Sequence, residues 1–326
     1  MKTDVVLCSR VQLSRNYADL PFDLSGQEEQ ASVCINRTVG AFRASTVDMG
    51  YELFRLREMS DVSARCMEEC RCITPDLLDN DAAAALINYE WGMSVMMGGE
   101  DHVCIQATRR GMDLAGASQA AFRVEDALSR SVAFAFDDKL GYLTASPAKT
   151  GTGMKASVLL HLPLLSWKES LSGMREKLEG LGLELIGAYG KDAPGDLYLV
   201  RNKFALGRTE QEYLQLVENE AAGLAVLERI MRPQGQPLRI TWADRVYRAW
   251  GTLTSARILP LEEFFRCWSA VRVGAVLGLL DVTIDQVDGL VEMAQDAHVC
   301  AWRQQEMAGQ TLDAARADRV RTLLQG

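Results

Sequence analysis

The sequence predicts an α+β fold over residues 1–234 and a mostly helical region over 235–326. Three observations carry that reading. Short apolar runs, "WGMSVMMG" and "VCIQAT", flank the acidic turn Gly98-Gly99-Glu100-Asp101-His102, the pattern of a β-hairpin. From Thr209 the rhythm becomes helical, with Leu214, Val217, Ala221, Leu224, Leu227 and Met231 three or four apart. "MRPQGQP" (231–237) then breaks the helix with two prolines and a glycine.

The remaining elements follow the same rules. Residues 25–42 have helical spacing behind Ser25 as an N-cap. "GYLTA" (141–145), "LELIGAYG" (183–190) and "DLYLVRN" (196–202) read as strands, while "GMDLAGASQAAFRVEDALSRSV" and "KASVLLHLPLL" read as helices. "KTGTGMK" (149–155) lacks the spacing and the ending of a Walker loop and reads as a turn into the helix bearing Lys155. Past the break, residues 243–255, 261–280, 284–297 and 312–324 read as helices.

Bulk composition narrows the function classes. The 326 residues are 48% hydrophobic and 24% charged, with a net charge of −9, and no basic cluster points to nucleic acid. No apolar stretch at the start precedes a small-residue cleavage site, and the apolar window 271–284 is short and carries Arg272 and Asp281. A cytoplasmic protein without a membrane span is expected. Cys66 and Cys70 would share a helix face near Cys72, but no Cys-x-x-Cys or neighbouring histidine completes a metal set, so no metal site is expected.

Several stretches, in order, resemble the phosphagen (guanidino) kinases, and more closely their bacterial relatives, the protein-arginine kinases. "CSRVQLSRN" (8–16) is similar to the family's Ser-Arg-x-Arg-x-x-Arg-Asn segment, and "GGEDHVCIQ" (98–106) to its Asn-Glu-Glu-Asp-His-x-Arg loop. "GYLTASPAKTGTGMKASVLLHLP" (141–163) is similar to its Gly-Tyr-Leu-Thr-x-Cys-Pro-x-x-x-Gly-Thr-Gly-x-Arg-Ala-Ser block. "DRVYRAWGTLTSAR" (244–257) and "VRVGAVLGLL" (271–280) match the bacterial branch. The resemblance implies an antiparallel sheet flanked by helices, then a helical C-terminal domain that mediates a homodimer; the long apolar run 271–280 adds to the dimer expectation.

That chemistry needs a carboxylate pair, to orient the guanidinium and take its proton, and an arginine cage around the nucleotide phosphates. By resemblance, Arg10 keeps the first of five cage arginines and Arg15 the segment's last. Gln12, Cys104 and Ile186 stand where three cage arginines would be, and Lys155 where a fourth would be. In "VCIQA", Cys104 and Gln106 share one face, and Ile186 shares one with Glu184, so both positions should face the cleft. Gly99 stands for the first carboxylate, Glu100 for the second and candidate base, and Ser146 for the reactive cysteine. Losing one preorganised donor typically costs about 10²–10³ in rate. Weak or absent ATP/Mg binding and a pseudokinase are therefore expected, with Glu100 and its acidic neighbours read as a solvated turn in the plainer alternative. The other alternative is an active kinase with a phosphate site rebuilt from Arg10, Arg15, Lys149 and Lys155.

Arg245, Arg248 and Arg257 are expected to be largely structural. "TLDAARADRVRTLL" resembles the branch's Arg-Asp-x-x-Arg-Ala motif, which implies a phosphoarginine-binding regulatory site; Asp313, Arg316 and Ala317 match it and Leu312 does not. Partners implied by resemblance are proteins bearing arginine or phosphoarginine, a zinc-binding activator, or quality-control machinery.

Overall fold

A computed structural model describes residues 3–22, 28–45, 50–168, 171–232 and 236–325. The expected cap at Ser25 lies outside them. In chain order the elements are β1 (Val6–Arg15), α1 (Glu28–Arg43), β2 (Glu52–Arg55), α2 (Asp61–Glu69), β3 (Ala84–Asn88), β4 (Met93–Met97), β5 (Val103–Arg110) and α3 (Leu114–Ser129). Next come β6 (Phe136–Asp137), β7 (Gly141–Tyr142), β8 (Met154–His161), α4 (Pro163–Trp167), α5 (Leu171–Gly180), β9 (Leu183–Gly187) and β10 (Leu197–Asn202). The helical part holds α6 (Glu210–Ile230), α7 (Gln236–Ser255), α8 (Leu261–Val276), α9 (Ile284–Met293), α10 (Asp296–Arg303) and α11 (Gly309–Gln325).

Eight strands form one antiparallel sheet in the order β2-β3-β4-β5-β1-β8-β10-β9. The hairpin β4–β5 is where the sequence puts it. "KASVLLHL" is a correction: it forms strand β8 beside β1, so Lys155 sits on a strand. Its run is almost continuously apolar because both faces of this central strand are covered, which removes the alternation that marks a strand. Only Gly141–Tyr142 of "GYLTA" is a strand, paired with β6.

One face of the sheet, with Val11, Leu13, Val95, Ile105, Ala156, Val158, Leu185 and Val200, packs on α1, α3 and α6 as the main core. The opposite face is divided. At one side Ala85, Ile87 and Met96 pack under α2 and the segment after it. At the other, Leu159, Leu197 and Leu199 pack on Phe264, Phe265 and Trp268 of α8. Between them runs a polar stripe that includes Arg10, Gln12, Lys155, Ser157 and Arg201. The helical part thus completes one wall of a cleft whose floor is the sheet.

Capping residues set the helix starts. Thr209 with Glu212 forms a capping box on α6, and Thr283 with Gln286 one on α9. α6 ends at Ile230, just before the expected break 231–237, and α7 begins at Gln236, inside the end of it. In the apolar run 271–280, read as a dimer face, Val271 and Val273 are buried within the chain, Val276, Leu277, Leu279 and Leu280 are half-buried, and α8 stops at Val276. No described helix is long and apolar enough to cross a membrane.

Candidate active-site cleft

The acidic turn is not a solvated one. Asp101 and His102 are buried, and only Glu100 is exposed. Asp101 Oδ1 accepts from Asn16 Nδ2 at 2.8 Å and from Ala145 N at 2.8 Å. His102 N donates to Asn16 Oδ1, and its Nδ1 accepts from Tyr17 N at 2.9 Å. The end of "SRN" and the acidic loop therefore lock each other, and burial holds the His102 imidazole below its usual pKa. These bonds aim Glu100 into the cleft.

There Glu100 meets a cation. Lys149 Nζ lies 2.6 Å from Glu100 Oε2 and 3.4 Å from Asp101 Oδ2. Burial works against the Lys149 ammonium, but its hydrogen bond to Glu100 and the Asp101 charge outweigh it and raise its pKa. Lys149 stands in a turn closed by its own N–H on the Ser146 carbonyl. Gly153, just after, has φ of +61°, and a Cβ there would lie 2.7 Å from the Ser14 carbonyl oxygen. "KTGTGMK" is thus a tight turn into β8.

The Gly99 position is closed by a neighbour. A side chain there would start 2.5 Å from Asp76 Oδ2, which accepts from Glu100 N at 2.9 Å. Asp76 places a second carboxylate beside the Glu100 backbone, and with the two 24 positions apart no local motif announces it.

The cage positions fall on the cleft face as alternation requires. Cys104 lies opposite Met96 and Ser14, and burial pushes its thiol up to about 12. Gln12 Nε2 donates to Gln106 Oε1 at 2.9 Å. Ile186 pairs with Leu199 and packs into the cluster of Phe264, Phe265 and Trp268. Each substituted position has its own partner in the fold.

Arg15 departs from expectation. It is the neighbour of Ser14 on β1 and so points to the other face. Its guanidinium is fully buried, 2.6 Å from Glu125, donates to the Ser14 and Thr152 carbonyls, and stacks 3.5 Å over Tyr142. It is core, not cage.

Beyond Glu100 the cleft widens into a cavity of about 1010 Å³ whose lining includes Arg10, Arg71, Lys155, Arg201 and Arg245. A smaller cavity of about 70 Å³ at Glu100 and Lys149 shares Gln12, Thr74 and Lys155 with it. Arg201 is paired with Glu184 at 2.6 Å, and Arg245 stacks 3.2 Å over Trp167. Arg10, Arg71 and Lys155 differ: among the described residues, none has a carboxylate at ion-pair distance. Arg10 Nε donates only to Thr108 Oγ1 at 3.2 Å, and Arg71 Nη1 is buried without a hydrogen-bond partner. Burial and the Arg71 charge lower the Arg10 pKa to about 10; burial and Arg201 lower that of Lys155 to about 8. Arg71 also has a left-handed backbone, φ +59°, whose carbonyl accepts from Gln106 Nε2. Unpaired cations converging on a cavity suit an anionic ligand, although Glu68, Glu69, Asp192, Asp196 and Glu262 line it too.

An antiparallel sheet with this loop on one rim and helices closing the other matches known proteins. Residues 34–231 match the ATP:guanido phosphotransferase C-terminal catalytic domain, and residues 239–326 the protein-arginine kinase McsB C-terminal domain. The chain belongs to the ATP:guanido phosphotransferase family, in its protein-arginine kinase branch. It is 32% identical over 327 residues to the protein-arginine kinase of Caldanaerobacter subterraneus, covering 98% of this chain and 97% of that one. It is 33% identical over 284 residues to that of Bacillus subtilis, covering 86% and 78%. Among solved structures, the duplicated taurocyamine kinase of Schistosoma mansoni aligns with a TM-score of 0.63 at 23% identity over 78% of this chain and 39% of that one. A lombricine kinase aligns at 0.59 and 20% identity, over 70% and 67%. These two likenesses concern the fold.

Within this family frame the remaining arginines sort clearly. Arg248 pairs with Asp244 one turn away, and Arg257 donates to the Ser255 carbonyl, both at the surface. Arg316 is buried, and its guanidinium is committed to the Ala294 and Leu259 carbonyls, to Asp313 at 2.6 Å and to Asp296. With Asp313 it staples α11 to the ends of neighbouring segments, the structural alternative to a phosphoarginine reader.

Proposed function

We propose that this protein-arginine kinase homologue is impaired in phosphotransfer and acts through what its cleft and surfaces bind. The observation carrying the reading is the pairing of Glu100 with Lys149 in a cleft whose three lost cage positions hold Gln12, Cys104 and Ile186. The ammonium occupies one oxygen of the candidate base and puts a positive charge where a positively charged guanidinium would have to dock. Arg10, Arg71 and Lys155 still offer an anion site, so a phosphate-bearing ligand is held weakly, with ATP in the millimolar range.

Family membership supports arginine-bearing proteins as the binding partners. A homodimer through the C-terminal domain, a zinc-binding activator, a quality-control partner and a cytoplasmic location belong to the same proposal. One observation favours a second reading, an active kinase: Asp76 supplies a second carboxylate beside Glu100.

The deciding experiment is transfer of labelled γ-phosphate from Mg–ATP to an arginine-rich protein, with Glu100→Ala as control. The proposal expects no transfer above that control. Transfer abolished by Glu100→Ala establishes the second reading. Restoring the cage to four of its five arginines by Gln12→Arg, Cys104→Arg and Lys155→Arg together, with Ile186 kept because it packs into the α8 cluster, should bring ATP binding back before turnover, since catalysis also needs exact substrate placement. Gly99→Glu would have to displace the Asp76 carboxylate and would add a third acid beside Glu100 and Asp101.

A further inference from the structure

The fold gathers metal-binding side chains where the sequence shows only half of them. Cys66 and Glu69 lie on α2, at the cleft wall. His298 lies on α10 of the C-terminal domain, 229 residues from Glu69. Their ligand atoms, one sulfur, one carboxylate oxygen and one ring nitrogen, all lie within 4.8 Å of one another, and all three residues are half-buried. Cys70 Sγ lies 3.3 Å from His298 Nε2 and 3.7 Å from Glu292 Oε2. His298 Nδ1 is 2.7 Å from Glu69 Oε2.

We infer that Cys66, Glu69 and His298 form a site for a zinc-type divalent cation that staples the two domains together. The donor set is the first argument. Thiolate, imidazole and carboxylate are the ligand types zinc takes, and three protein ligands leave a fourth position for water. One thiolate and one carboxylate balance the double positive charge. The spacing is the second. Bonds of about 2.0–2.3 Å put the ligand atoms of a tetrahedral site roughly 3.2–3.8 Å apart, so movements of about 1 Å or less close this set.

A structural role alone accounts for Glu69 but not for its neighbours. Its carboxylate caps α10, accepting from Ala297 N at 2.8 Å and His298 N at 3.1 Å. A capping carboxylate gains nothing from two thiols beside it, and without a cation nothing accounts for Cys66 and Cys70 gathering at His298. A cation accounts for it. Cys66 gives up its proton to solvent and binds as thiolate. His298 takes the metal on Nδ1, and its ring proton sits on Nε2, where it donates to Cys70 Sγ. A ligating histidine usually has such an acceptor on its other nitrogen, which fixes the ring. One proton leaves per cation bound.

The staple has a place to act. Glu68, Glu69, Arg71 and Gln295 line the large cavity, and Gln295 Nε2 donates to the Glu69 carbonyl. A cation here fixes the wall that carries Arg71.

The test uses the full chain, stripped with a chelator and titrated with Co²⁺. The expected result is a sulfur-to-cobalt charge-transfer band with four-coordinate ligand-field bands, saturating at one equivalent, displaced by Zn²⁺, with one proton released. Zn²⁺ should raise the unfolding temperature, since it binds the native state. Cys66→Ser and His298→Gln should each remove the charge-transfer band or weaken binding at least about 100-fold, and Cys70→Ala about 10-fold through the outer contact. Cys72→Ser, outside the set, should keep the band. Circular dichroism separates loss of metal from loss of fold. The inference is overturned if Co²⁺ does not saturate below millimolar concentration. It is equally overturned if the band survives in both folded variants, Cys66→Ser and His298→Gln.

Discussion

The Lys149 ammonium lies 2.6 Å from the Glu100 carboxylate and 3.4 Å from that of Asp101, so the candidate base already has a cationic partner. The side chains of Lys149 and Glu100 are 29% and 45% exposed, and pairs this open to water contribute no more than about 1 kcal/mol. Lys149→Met should therefore shift the urea midpoint only slightly. With the cage still incomplete, it should produce no ATP-dependent phosphorylation. Turnover gained in that variant would identify Lys149 as the block.

Arg10 and Arg71 repel each other in the ligand-free cleft. Arg10→Gln should raise the unfolding temperature without anions by about 2 °C, the effect of a change below about 1 kcal/mol in a chain of this size. It should also abolish the stabilisation that inorganic phosphate gives the parent. Calorimetric scans with and without phosphate measure both, and a phosphate response that survives in the variant would place the anion elsewhere.

Lys155 makes that binding pH-dependent. Its ammonium has a pKa lowered to about 8 by burial and Arg201, so it loses its charge as pH rises through that value. Affinity for sulfate, a tetrahedral anion whose charge is fixed over this range, should be full near pH 7 and fall severalfold, about 3–10-fold, by pH 9. Lys155→Arg keeps its charge throughout and should flatten the profile.

Glu228 sets a pH dependence of stability. It is buried on α6 and accepts from Leu164 N and Leu165 N at 3.0 Å, and burial raises its pKa from 4.5 to about 7. Between these values the native state holds a proton that the unfolded chain has lost, so stability declines as pH rises from about 4.5 to 7. The decline is on the order of 3 kcal/mol. Glu228→Gln should remove it, as urea midpoints at pH 5 and pH 8 would show; an unchanged slope would assign the effect to other groups.

The hairpin, the long helix α6 and the break after it were legible because each leaves a local pattern. Strand β8 was not, because covering both faces erases the alternation that marks a strand. Cys104 and Ile186 were placed on the correct face by parity alone. Arg15 was misplaced by motif matching although the same parity, applied from Arg10, puts it on the opposite face. Asp76, Arg71 and His298 reach their neighbours only through the tertiary fold, and no local spacing announces them.

The two faces of the sheet carry different obligations. Most of the core lies on the face covered by α1, α3 and α6, with two smaller clusters at the sides of the other face, and the polar stripe between those clusters contributes little to any of them. Side chains on that stripe are free to change without unfolding the chain. A lineage that ceases to need the transfer reaction can lose its arginines one by one and still inherit the same shape, the same surfaces and the same associations.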